Sequence, residues 1–283
     1  MAVTRFVPQI WAANLTVALE KAHVFAQGGI VNRDYEGEIS QFGDTVHITS
    51  VSDPTISDYV ANSTVLAAQE LTDARRSLTI DQAKSFIFKV DDVDKRQARG
   101  DVITKTLQRA GYGLRDKVDQ YIAGLYTSVP TANAVGTVAV TAGTPTAAYD
   151  SVLVPLSVKL DEANVPREGR WVVVPPWFHG RLQLDGRFIK LNESGTQDGL
   201  RNAMIGRAAG FDIFTSNNVV NTTGDDYAVM AGTDMAISFA EQINQVEAYR
   251  DTTSFADVIR GLHLWGCRVV RPEGLASCVA SQT

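Results

Sequence analysis

The sequence predicts an α+β fold in which a projecting arm and loop precede an α/β body. Three observations carry that expectation. Two alternating segments, Asp44–Val51 and Ser85–Val90, flank a long polar stretch and read as strands. An apolar stripe with the period of a helix runs from Asp94 to Tyr126. Beyond Val129, short apolar runs alternate with helical patterns, which is the order of an α/β domain.

The elements follow in turn. Trp11 to Gln27 carries Leu15, Leu19 and Ala22 at helical spacing and stops at Gly28-Gly29, so residues 1–34 read as an N-terminal arm with one short helix. Val46 and Ile48 share one face of the first strand; Phe86, Phe88 and Val90 share one face of the second. The two are expected to pair as a hairpin, with Thr79–Asp81 extending the second strand. The excursion from Asp53 to Ser77 is too long for a tight turn, so residues 35–90 are expected to project, with a short helix near Val60–Glu70 or a partner for the tip. Asp91, Asp92 and Asp94 suit the positive end of a helix, and Ile103, Leu107, Ala110, Leu114, Val118, Ile122 and Leu125 form its stripe. Residues 91–128 therefore read as one long helix, weakened or bent at Gly111 and Gly113.

Residues 129–245 form the expected α/β region. Thr127–Ala148 is uncharged and reads as a linker or a light two-stranded excursion. Asp150 caps a helix from Ser151 to Ala163, Arg170–Val174 is a strand, and Pro175-Pro176 ends it before a helix from Trp177 to Leu184. Asp185–Gly199 is a polar loop. Gly210–Thr215, Tyr227–Met230, Ala236–Ala240 and Gln245–Tyr249 are further strands. In residues 246–283, Ser254–Val270 reads as a long strand returning onto the long helix, closed by Pro272.

Composition narrows the function. The 283 residues hold 26 Lys and Arg against 32 Asp and Glu, a net charge of -6, with 45% apolar residues. That is globular composition, and it argues against a basic domain that grips nucleic acid. Two cysteines, Cys267 and Cys278, cannot build a disulfide framework and read as free thiols of a reducing compartment. No apolar run is long enough for a membrane span, and Met1–Trp11 lacks the pattern of a secretory signal.

Catalytic signatures are missing. His23, His47, His179 and His263 fall on four different elements, so no metal site or cofactor is expected. Neither a nucleophile elbow nor a phosphate loop occurs; Gly206–Gly210 imitates the latter but precedes a strand and lacks the lysine. Asp185 and Glu193 are a carboxylate pair of the kind any acidic chain offers, and Arg99-Gly100-Asp101 falls inside the predicted helix. Trp177, Phe178 and Phe188 read as core or as an interface cluster. What remains is surface that a single chain cannot cover: the arm, the excursion and the long helix. Asp73, Arg75 and Arg76 near the loop tip, and Glu247, Arg250, Asp257 and Arg260 further on, are candidate contacts between subunits. Each exposed pair is worth about 0–1 kcal/mol, which many copies multiply.

The order of these parts resembles the major capsid proteins of tailed bacteriophages, the HK97-like phage capsid fold shared with herpesvirus capsid floors and encapsulin compartments. The likeness spans nearly the whole chain. Gly169-Arg-Trp-Val-Val-Val-Pro-Pro-Trp-Phe178 resembles the strand-proline-helix step of that family's axial domain, and Ala209–Asn217 its following strand and loop. Glu247–Arg250, Phe255–Leu262 and Gly266–Pro272 resemble the return to the peripheral domain, ending in a Val-x-Arg-Pro close. The resemblance implies an arm (1–34), an extended loop lying across the next subunit (35–90), a spine helix (91–128), an axial domain (129–245) and a return strand (246–283). It further implies a non-enzymatic shell subunit, assembled in the bacterial cytoplasm as hexameric and pentameric capsomers. These homo-oligomers would close an icosahedral virion around double-stranded DNA, without reading its sequence. Portal and scaffolding proteins, and a cementing or decoration protein, are the implied partners. Some relatives crosslink through a lysine in the extended loop; Asp53–Ser77 has none, so crosslinking is not expected. The alternatives are an encapsulin-like shell around a cargo enzyme, and an α/β enzyme acting on a small substrate.

Overall fold

The computed structural model describes residues 24–34, 45–51, 56, 73–91, 102–185 and 206–283. Most of the predicted arm helix, the predicted helix near Val60–Glu70, the Arg99–Asp101 tripeptide, Phe188 and Glu193 lie outside them. Val24–Gln27, the end of the predicted arm helix, is a run of turns.

Strands β1 (Thr45–Val51) and β2 (Asp73–Thr79) form a two-stranded antiparallel ribbon, with Thr45 opposite Thr79 and Val51 opposite Asp73. The expectation that Ser85–Val90 closes this hairpin is therefore corrected. That segment belongs to β3 (Gln82–Asp91), which pairs with β11 (Ala256–Val269), Phe86 lying opposite Gly261 and Val90 opposite Asp257. The physical reason is cover. The ring face of β3 needs a thick apolar partner, which a two-stranded ribbon in water does not supply. The chain turns at Ile80 instead, and Ile80 is buried with Leu78, Ala240 and Leu264 in a small core of its own.

Helix α1 (Val102–Gly124) runs unbroken through Gly111 and Gly113 for about 35 Å at ~1.5 Å per residue. Asp91, expected in its first turn, is instead the last residue of β3, opposite Ala256. The predicted stripe is the buried face. Leu107 and Leu114 pack with Phe86, Phe88, Val90 and Ile259, while Val118 and Ile122 continue into the main core beside Trp265. Each such side chain contributes roughly 1.5–3 kcal/mol on burial. The sheet beneath α1 has the order β10-β11-β3, where β10 (Ile237–Arg250) is one strand with an irregularity between Ile243 and Gln245, not the two separate strands expected.

The α/β body is a seven-stranded sheet. Its main path is β4 (Ala134–Ala139), β12 (Leu275–Ser281), β9 (Asp226–Thr233), β5 (Arg170–Val174), β7 (Phe211–Thr215) and β6 (Arg207–Ala208), with β8 (Asn221–Thr223) pairing β9. Two helices, α2 (Val154–Glu162) and α3 (Pro176–Leu184), cover one face through Leu156, Leu160, Phe178 and Leu182. The other face, through Trp171, Val173, Met230 and Leu275, meets α1, the base of the long hairpin and the root of the arm. The predicted helix at Ser151 begins as a wider π turn, Ala148–Leu153, before Pro155 sets the α geometry. Phe178 is core, with Trp177 edge-on to it at 5.7 Å. Asp185 is buried at the end of α3.

Both cysteines are buried thiols. Burial pushes Cys278 up to about 12, and Cys267 higher still. Neither is therefore expected to react with a maleimide at pH 8 in the native subunit, while both react in denaturant; mass spectrometry of the labelled chain checks this.

Candidate assembly surface

In the sheet β10-β11-β3, Phe86, Phe88 and Ile259 face α1, so strand alternation turns Ser85, Ile87, Lys89, Glu247, Tyr249, Arg260 and Leu262 to the opposite face. Among the described residues, nothing covers that face at its centre. Ile87 is 64% exposed, and Tyr249 and Leu262 are exposed beside it. Phe255, in the turn joining β10 to β11, is 82% exposed. A shallow cleft of about 330 Å³ lies among Ile87, Glu247, Arg260 and Leu262.

The four charged candidates of this hairpin are brought together, but with one another. Glu247 and Arg260 are cross-strand partners, with Arg260 Nε donating to Glu247 Oε2 at 2.8 Å and the guanidinium 5.5 Å from the Tyr249 ring centre. Arg250 and Asp257 are likewise cross-strand partners, at 3.2 Å. The turn is fastened by Asp251, which accepts from Lys89 Nζ at 2.8 Å, from Ser254 and from Thr253. Those partners, Lys89 first, hold the Asp251 carboxyl well below the usual carboxylate range. Arg76 donates from the ribbon to the Val270 carbonyl. Asp73 and Arg75 occupy β2 positions opposite Val51 and Thr49, toward the far end of the ribbon.

A second anchoring region, unforeseen from the sequence, holds the arm root. Phe25, Ala26, Ile30 and Val31 are buried in the main core. Asn32 bridges to β10: its N–H donates to the Ile237 carbonyl, and Phe239 N–H donates back to the Asn32 carbonyl. Arg33 pairs with Glu241, whose other oxygen lies 3.3 Å from Nε2 of buried His263. At the other end Val24 N–H donates to Asp119 of α1 at 3.3 Å. Asp119 is 4% exposed. Burial raises its carboxyl to about 6, against the hydrogen bonds of Val24, Phe25 and Asn218, with Asp116 adding to the rise. The one sequence signal was position: Asp119 sits beside Val118, on the flank of the apolar stripe.

Among the described residues, no cluster of three or more His, Cys, Asp or Glu side chains is placed to hold a metal, and no helix is long and apolar enough to cross a membrane.

The model of a phage capsid protein family matches residues 73–278. A solved chain from Mycobacterium phage Che8 is 37% identical, with 91% of each chain covered and a TM-score of 0.75. The capsid structure of cyanophage P-SCSP1u covers 93% of this chain and 89% of its own at 18% identity and a TM-score of 0.71. The mature capsid of bacteriophage PhiM1 covers 84% and 82% at 14% identity and a TM-score of 0.67, so these two speak for the fold. No curated protein matches. The family match takes in β2, helix α1 and most of both larger sheets, and with it the chain belongs to the phage capsid protein family: it is a structural major capsid protein with the HK97-like fold.

Proposed function

We propose that this chain is the repeating subunit of an icosahedral shell, assembling in the host cytoplasm as hexamers and pentamers around double-stranded DNA. The observation that carries the reading is the ribbon β1–β2. Among the described residues it is a two-stranded sheet joined to the body through Leu78 and Ile80 at its root and through Arg76 at its middle, and Ile56, in the excursion beyond it, is 95% exposed. An isolated two-stranded ribbon is marginal in water and gains its stability from a covering surface. The face of β10-β11-β3 that no described residue covers offers one on a second copy. Residues 53–72 carry Asp53, Asp58 and Glu70 and no Lys or Arg, and the face presents Arg260 and Lys89, each also paired within its own chain, among apolar neighbours. The arm, rooted in the core, supplies a further strap. Portal, scaffolding and cementing proteins fit as partners of such a shell.

Electron microscopy of the purified protein tests the reading: closed shells, tubes or sheets support it, and a compact monomer at high concentration overturns it. A sharper arm uses Arg260→Glu. The lost cross-strand pair and the new carboxylate facing Glu247 together cost about 1–2 kcal/mol, so the subunit still folds. The critical concentration for assembly rises by about tenfold, equivalent to ~1.4 kcal/mol. An unchanged critical concentration removes this face from the interface.

A further inference from the structure

We propose that Gly266 is the positioning residue that sets the angle at which the ribbon β1–β2 leaves the body. The inference rests on the shell reading for its biological meaning but on local geometry for its mechanism. β11 passes directly beneath the root of the ribbon. A Cβ at Gly266 would lie 2.3 Å from the Thr79 carbonyl oxygen and 3.0 Å from its carbon. Both atoms are backbone, so no rotamer change relieves the contact, and any side chain at 266 moves the ribbon itself. The root is otherwise fixed on three sides. Leu78 and Ile80 are buried against Ala240 and Leu264. Arg76, three residues up β2 from Thr79, holds the Val270 carbonyl. β3 begins at Gln82, directly opposite Trp265, and binds the chain to β11 immediately after the turn.

The ribbon is a lever on this seat. Its seven paired positions span about 20 Å at ~3.4 Å per residue. Relieving a 2.3 Å contact takes a displacement of about 1 Å, and against a pivot two residues (~7 Å) away that turns the ribbon by about 8° and carries its far end about 3 Å. A shift of that size exceeds what packed interfaces absorb without rearrangement. Gly266 therefore acts on assembly through the ribbon and touches no neighbour itself.

Spin labels on Ser50→Cys, in β1, and Gln120→Cys, exposed on α1, read the angle as a distance within one chain, measured after dilution into unlabelled protein. Cys267 and Cys278 stay unlabelled because they are buried, and mass spectrometry confirms two labels per chain. Gly266→Ala is expected to displace the mean distance by about 3 Å and to change particle diameter or yield open sheets. Gly261→Ala is the control. Five residues along the same strand, its Cβ would first meet the Phe86 ring, at 2.4 Å, so its strain falls on the sheet and not on the Thr79 backbone. It is expected to lower the melting temperature while leaving the label distance unchanged. An unchanged distance in Gly266→Ala, or equal displacements in both variants, overturns the proposal. If Gly266→Ala does not fold, Ile80→Ala decides: freeing the root from its small core should broaden the distance distribution, and a distribution as narrow as the parent's overturns the seat. The intramolecular distance is independent of whether shells form, so failure of the seat and failure of the shell reading are distinguishable.

Discussion

Arg170→Ala should lower the melting temperature of the subunit by about 10 °C. Arg170 begins β5, near the centre of the seven-stranded sheet, and is 1% exposed. Its guanidinium holds together the loop that joins α2 to β5. Nε donates to the Pro166 carbonyl at 2.9 Å, and Nη2 donates to the Val165 carbonyl at 2.6 Å and to Asp161 at 2.7 Å. Removing a charged partner from a fully buried pair costs about 3–5 kcal/mol; here Arg170 is buried but the groups left behind, Asp161, Val165 and Pro166, are half-buried or exposed. Asp161 is a third exposed and keeps Arg167 at 2.8 Å, so the lower end, about 3 kcal/mol, applies here. At roughly 2–4 °C per kcal/mol for a domain of this size, the shift follows. Arg167→Ala, which removes only the solvent-side partner, should cost under ~1 kcal/mol. Arg170→Lys should rescue little, since an ammonium cannot reproduce the planar fork. Calorimetry of the three variants checks the ranking, and a loss in Arg170→Ala no larger than in Arg167→Ala would refute it.

Asp119→Asn should stabilise the subunit at neutral pH and do little in acid. The Asp119 carboxyl is raised from 3.8 to about 6, chiefly by burial. A raised carboxyl takes up a proton on folding. Its contribution to stability is complete below about pH 4 and is lost as pH rises through about 6. The difference of about two units corresponds to roughly 3 kcal/mol lost between those limits. Asparagine keeps an acceptor for the Val24 N–H and has nothing to ionise. The gap in unfolding free energy between the variant and the parent should therefore open between pH 4.5 and pH 7.5, to at most about 3 kcal/mol. Urea titrations at the two pH values measure it, and a gap that does not vary with pH contradicts the assignment. Comparing variant with parent cancels the many other carboxylates that titrate in acid.

The sequence revealed element types better than partners. Arg170–Val174 and the helix after Pro175-Pro176 were legible because four consecutive apolar positions, Trp171–Val174, followed by proline leave few alternatives. The stripe on α1 was legible for the same reason. Pairing was not. Alternation in Asp44–Val51 and Ser85–Val90 announces two strands and is silent on which strand each meets, and the two-residue link at Ile80-Asp81 that separates β2 from β3 has no turn signature. β12, Leu-Ala-Ser-Cys-Val-Ala-Ser, went unread because its residues are small and without a polar face; a strand buried on both sides loses the alternation that marks a half-buried one. The charges at Glu247, Arg250, Asp257 and Arg260 were legible as a cluster, but their mutual pairing depends on the register of β10 against β11, which spacing alone does not specify. Asp119, Arg170 and His263 were missed because burial of a charge is a property of the fold, not of the residue.

The position of β12 has a consequence for biosynthesis. β4 pairs with it in parallel, Ser277 opposite Ala134 and Ser281 opposite Ala139, so an early strand waits for a late one across most of the body. β9 waits for the same partner. Such distant closures are slow, and they leave hydrogen-bonding edges bare in the meantime. A ribosome must have released Ser281 before the large sheet can knit shut. A prematurely terminated polypeptide would thus carry an open seam through its middle, and growing particles would be spared the incorporation of broken copies.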